Sequence, residues 1–151
     1  VLKELLDSPI LYFSKYIIRN KSAYYRLLNE VSTLGKWEDW ILYILEGIEQ
    51  TAEETLTLAN KINAIIEDTA STIKAALPKI YSRELVDLLF CEFYTKISYI
   101  EDGLQVSRKT ASVYLMELER VGILQSQKIG KAKIYINICL YKVVQEIGLD
   151  K

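Results

Sequence analysis

VSRKTASVYLMELERVGILQSQKIGKAKIYIN, residues 106–137, is the stretch whose reading decides the fold. Ser107 suits a helix N-cap, because its hydroxyl can accept from a free backbone N–H of the first turn. After it Ala111, Tyr114, Leu115, Leu118 and Gly122 recur at three- and four-residue steps, which lays one apolar stripe along a helix. Arg108, Lys109, Ser112 and Val113 fall off that stripe near the helix start. Gly122 ends the helix where a left-handed residue is wanted. A strand-like run follows from Leu124, turns near Gly130-Lys131 and returns through Ile134, Tyr135 and Ile136. The pattern predicts a recognition helix followed by a basic hairpin, the arrangement of a winged helix-turn-helix, a fold that usually meets DNA.

The elements upstream support that reading. Pro78 closes a preceding helical region, and Ser82 is placed to cap a helix running to about Cys91. Thr95 is read as the cap of the next helix, with Ile97 and Ile100 inward, and Gly103 to Gln105 as its tight turn. A last helix is expected from Leu140 to Ile147. The resulting order is helix, helix, turn, helix, wing, helix.

Further toward the N-terminus helical periodicity dominates. Leu2, Leu5 and Leu6 belong to a first segment that stops at Asp7-Ser8-Pro9, where Ser8 can cap and Pro9 fits a first helical position. Helices are expected over Ile10 to Arg19 and Lys21 to Val31, with Gly35 breaking the pattern. A long helix is then expected over about 37–77, since this region has no proline before its end and Gly47 as its one internal glycine. Ile48, Ala52, Thr55, Ala59, Ile62, Ile66, Thr69, Ile73 and Leu77 form its apolar seam, and the length of that seam predicts a homodimer or a sticky face. Glu53, Glu54, Glu67 and Asp68 read as a solvated acidic face. Tyr12, Phe13, Tyr16, Tyr24 and Tyr25 read as packed core, with Trp37 and Trp40 pinning the long helix to the helices before it.

The 151 residues suffice for one good-sized domain or two small ones, and 50% apolar content is ample for a core. The fold class expected is mainly α, divided into helices at 1–80 and a winged helix-turn-helix at 81–151. Net charge is −1 and the pI about 5.6, so no global basic field advertises nucleic acid. Residues 1–80 hold 9 Lys+Arg against 11 Asp+Glu, and residues 81–151 hold 10 against 9, so any basic surface must be a local patch. Cys91 and Cys139 show no metal-ligand spacing and read as buried, reduced thiols of a cytoplasmic protein. The chain contains no histidine, which excludes His-based acid–base catalysis and His metal ligation within it. It has no apolar run near 18 residues and no signal-peptide pattern, so neither a membrane span nor export is expected.

Three separated segments carry a family resemblance. DSPILYFSKYIIRNKSAYYRLL (7–28) resembles the segment that follows the active-site motif of Fic-family proteins. GKWEDWILYILEGIEQTA (35–52) resembles the helix that comes next in such proteins. KTASVYLMELERVGIL (109–124) resembles the winged-helix tail of many bacterial members. The resemblance implies a parent enzyme that transfers AMP from ATP, with magnesium, to a hydroxyl of a target protein. The family signature, of the form H-P-F-x-x-G-N-G-R, is not in this sequence, so the chain is expected to be a C-terminal piece of a longer protein that begins after the motif. No catalytic residue, metal ligand or cofactor is assigned within it. The alternative class is a non-catalytic regulator or protein-interaction module built on a Fic-derived scaffold.

For DNA contact the candidates are Ser107, Arg108, Lys109 and Ser112 at the helix, with Lys128, Lys131 and Lys133 on the hairpin. The bland reading of the same residues is a solvated face used for protein contacts, since Val113 and Met116 also point outward. A lysine-rich hairpin is likewise a common protection for an edge strand.

Overall fold

The computed structural model describes residues 12–130 and 132–149. The expectations for Leu2, Leu5, Leu6, Ser8, Pro9, Ile10 and Lys131 lie outside the described residues. Mainly helical, the chain runs α1 (Phe13–Arg19), α2 (Lys21–Leu34), α3 (Trp37–Ala76), α4 (Arg83–Cys91), β1 (Tyr94–Thr95), α5 (Ile97–Leu104), α6 (Arg108–Arg120), β2 (Leu124–Ile129), β3 (Ala132–Asn137) and α7 (Ile138–Leu149). By its packing it divides between Asn60 and Lys61, inside α3.

In the N-terminal unit α1, α2 and the first part of α3 share an aromatic core. Tyr16, Leu27 and Tyr43 are buried there, with Phe13, Tyr24 and Trp40 packed against them. The ring of Tyr24 sits 5.3 Å from that of Trp40, and Tyr16 sits 5.2 Å from Tyr43. Trp37, Tyr12 and Tyr25 are exposed, so the expected aromatic cluster forms only in part, and Trp40 alone of the two tryptophans does the pinning. Gly35 closes α2 in the left-handed region at φ 66, as its position after the last periodic residue predicts.

α3 has the expected length, but the first half of its seam is shifted. Tyr43, Gly47 and Thr51 face inward, while Ile48 is 41% exposed and Ala52 is exposed. The cause is Gly47: an added Cβ there would lie 2.5 Å from the Tyr16 ring, so the ring fills the notch that a glycine leaves. From Ile66 onward the seam is as read, with Thr69, Ala70, Ile73 and Leu77 buried or packed into the C-terminal core.

That core gathers Ile73 and Leu77 with Leu85, Val86 and Leu89 of α4, Ile100 of α5, Ala111, Leu115 and Leu118 of α6, and Leu124 and Tyr135 of the sheet. Ser82 caps α4, its hydroxyl accepting from Leu85 N–H at 3.1 Å. The three-stranded antiparallel sheet has the order β1-β3-β2. Thr95 is not a helix cap: it lies in β1 opposite Tyr135, buried, and Lys96 takes the cap position of α5 without a side-chain bond. Such a pairing joins residues far apart in sequence, so local pattern could not reveal it. Cys91 and Cys139 are free and exposed rather than buried, because they occupy the outer sides of α4 and α7 at their ends.

Candidate nucleic-acid interface

α5 and α6 meet through a short turn whose left-handed residue is Gln105, at φ 52, rather than Gly103. Gly103 stays helical and lies against Leu88. The Gln105 side chain returns to the chain by donating to the Asp102 carbonyl at 2.6 Å. α6 then starts at Ser107, whose hydroxyl accepts from Thr110 N–H at 3.2 Å and shares a 2.9 Å hydrogen bond with the Thr110 hydroxyl. The Ser107 side chain is therefore occupied in capping.

Arg108 and Lys109 follow in the first turn, both exposed and without a carboxylate partner among the described residues, and that turn holds no acidic residue. Two cations at this end oppose the helix dipole, which disfavours each by about 0.3–1 kcal/mol at an exposed site. The same cations beside unsatisfied N–H groups make a place where an anion is favoured. Ser112 is half-buried one turn on. Val113 and Met116, 48% and 57% exposed, make the outward face apolar beyond the first turn.

At its other end α6 closes as a Schellman turn. Ile123 N–H donates to Leu118 C=O and Gly122 N–H to Glu119 C=O, both at 3.0 Å, with Gly122 at φ 80. This turn launches β2 into the hairpin. Lys128 and Lys133 are directly opposite each other in its register, next to the closing pair Ile129 and Ala132. Lys128 is exposed without a carboxylate partner among the described residues. Lys133 is tethered: its Nζ lies 3.5 Å from Glu119 Oε2 and 4.7 Å from the centre of the Tyr135 ring. Contact with Tyr135 first, and then with Glu119, raises the Lys133 ammonium above its ordinary value.

Glu119 is the residue that sequence reasoning missed. Its Oε1 accepts from Ser126 N–H at 2.8 Å. Hydrogen bonding by Ser126, side chain before backbone, and then Lys133 hold the carboxyl below its ordinary value, against a desolvation that raises it. A glutamate late in a helix and a lysine on a later strand give no local signal of a pair. A second overlooked residue on this unit is a cation, Lys96, over the rings of Tyr94 at 5.4 Å and Tyr99 at 5.5 Å.

The structure thus brings together Arg108 with Lys109, and Lys128 with Lys133. Eleven residue steps along α6 take Arg108 to Glu119, which at about 1.5 Å per step is roughly 16 Å of helix. Among the described residues no cluster of His, Cys, Asp and Glu could hold a metal ion, and no helix is long and apolar enough to cross a membrane. Comparison with protein families matches residues 65–140 to the model described as "Protein adenylyltransferase SoFic-like, C-terminal domain".

Proposed function

The chain belongs to the family of SoFic-like protein adenylyltransferase C-terminal domains, and on that premise we propose that its C-terminal unit is a winged helix-turn-helix that docks a Fic-type AMP-transferring protein on duplex nucleic acid. In this reading α6 is the recognition helix and the β2–β3 hairpin is the wing. The observation that carries it is the pair Arg108 and Lys109, exposed and without a carboxylate partner among the described residues, at the N-terminal end of α6 where the helix dipole disfavours cations and favours an anion. Lys128 supplies a second contact point on the wing. The activity we infer for the docked protein is transfer of AMP from ATP to a hydroxyl of a target protein, in a cytoplasmic setting.

The deciding experiment is a mobility shift of the folded chain on mixed-sequence duplexes at low salt. Binding that weakens at least tenfold in the double variant Arg108→Gln, Lys109→Gln supports the proposal. No shift at all with folded protein overturns it. A second reading, docking on a protein, is favoured by the exposed Val113 and Met116. It would take over if Val113→Asp and Met116→Asp changed capture of a partner while duplexes gave no shift.

The proposal extends to a homodimer. Trp37, Ile41, Leu45, Ile48 and Leu56 are exposed at helical steps along α3, a face of the kind that a second copy covers. Light scattering at rising concentration tests this, and a monomer throughout would remove it.

A further inference from the structure

The geometry points to Glu119 as a gate on the wing: its carboxylate withholds the Lys133 ammonium from nucleic acid and releases it to a phosphate when a duplex docks. The inference rests on the duplex-binding reading above and assigns the regulation of that same surface.

Two contacts converge on this side chain. One carboxylate oxygen accepts from Ser126 N–H, which points off the unpaired edge of β2, since β2 has β3 on its other side. The second oxygen lies 3.5 Å from Lys133. Lys133 in turn stands opposite Lys128, and like charges directly across an antiparallel pair repel. Glu119 offsets that repulsion from the Lys133 side alone, because Lys128 has no carboxylate partner among the described residues. Lys128 and Lys133 are therefore unequal. Lys128 can meet a phosphate as it stands, whereas Lys133 must first leave a carboxylate.

Glu119 also fixes the wing to α6 through a backbone bond, so its role in holding the hairpin must be separated from its role in charge. Glu119→Gln does this, because the amide oxygen can still accept from Ser126 N–H while the negative charge is gone. Glu119→Ala removes both.

Measured on mixed-sequence duplexes, Glu119→Gln should bind more tightly than the parent chain and add one phosphate contact, steepening the salt slope by about 0.9. Its advantage should shrink about 3.5-fold between 50 and 200 mM salt, which is what one extra neutralised phosphate implies. In a Lys133→Gln background the same replacement should change affinity little. An equal gain in that background would show that Glu119 acts on the duplex directly, and would overturn the gate.

A readout without nucleic acid keeps the gate separate from the docking reading. Lysine acetylation followed by peptide mass spectrometry should find Lys133 slower than Lys128 in the parent chain, and several-fold faster in Glu119→Gln than in the parent. Exchange of the Ser126 amide should remain protected in Glu119→Gln and lose protection in Glu119→Ala. An unchanged Lys133 rate in Glu119→Gln overturns the gate. If instead that rate rises and no duplex binds, the gate stands as a feature of the wing and the docking reading is what fails.

Discussion

Asn137 and Leu89, 48 residues apart in sequence, are joined by a 3.1 Å hydrogen bond from the asparagine Nδ2 to the leucine carbonyl. The same side chain accepts from Leu140 N–H at 3.1 Å, and the Asn137 backbone N–H donates to Phe93 C=O. One buried asparagine thus ties together the end of α4, the start of α7 and Phe93 just before β1. Asn137→Ala should cost about 2–3 kcal/mol in urea denaturation, since it strands a carbonyl and a helix N–H together. Asn137→Asp keeps the cap but faces a carboxylate toward a carbonyl, and should also destabilise. A cost under 1 kcal/mol for alanine would refute the account of this residue.

Thr95 gives a prediction of opposite sign. Its hydroxyl is buried without a hydrogen-bond partner among the described residues, in a strand where a β-branched side chain belongs. Thr95→Val keeps the shape and removes the orphan oxygen, so stability should rise by about 1 kcal/mol. Thermal melting checks this, and a lowered melting temperature would show that the oxygen has a partner after all.

Two helical glycines should respond differently to alanine. At Gly47 the new methyl meets the Tyr16 and Phe13 rings at 2.5–2.6 Å, and both rings are fixed in the aromatic core. At Gly103 it meets the Leu88 methyls at 2.5 and 2.7 Å, the movable end of a flexible side chain. Alanine gains about 1 kcal/mol of helix propensity at either site. Gly103→Ala should therefore be near neutral, and Gly47→Ala should destabilise by about 1–2 kcal/mol through overpacking. Paired denaturation curves decide; equal effects would contradict the difference in packing.

Acid should loosen the C-terminal unit. Glu119, through Ser126 and then Lys133, and Glu84, through its own backbone N–H and then Ser82, both have carboxyls held below their ordinary value. For such groups the unfolded chain binds the proton first. Their stabilisation is fully present above the ordinary glutamate value of about 4.3 and is lost as pH falls through the folded values. The urea midpoint of the parent chain should fall between pH 6 and pH 3 more than that of Glu119→Gln. Parallel curves would exclude Glu119 from the effect.

Much of the C-terminal unit was legible in the residues. Ser82, Ser107 and Gly122 mark helix ends by local chemistry, and the stripe of Ala111, Leu115 and Leu118 is buried as its spacing implies. What escaped was set by distant partners. The α3 seam slipped at Ile48 because Tyr16 fills the notch at Gly47, and Thr95 looked like a cap because its partner Tyr135 is 40 residues away. Asn137 was readable, since an asparagine before an apolar helical run is an N-cap signal. On the candidate surface the cations were visible, but Glu119 beside Lys133 depends on strand register and could not be seen.

The strand order β1-β3-β2 also bears on how the chain is made. β1 leaves the ribosome well before the strand it needs, because β3 follows α5, α6 and β2. The helices α4 to α6 can form from local contacts as they emerge, but Tyr94 and Thr95 wait unpaired until Tyr135 and Ile136 arrive. During that interval the core lacks Tyr135, and apolar surface of α4 and α6 stays open to other chains. Slowed translation within residues 96–134 would lengthen the interval, so the yield of folded protein should be most sensitive to synthesis rate there.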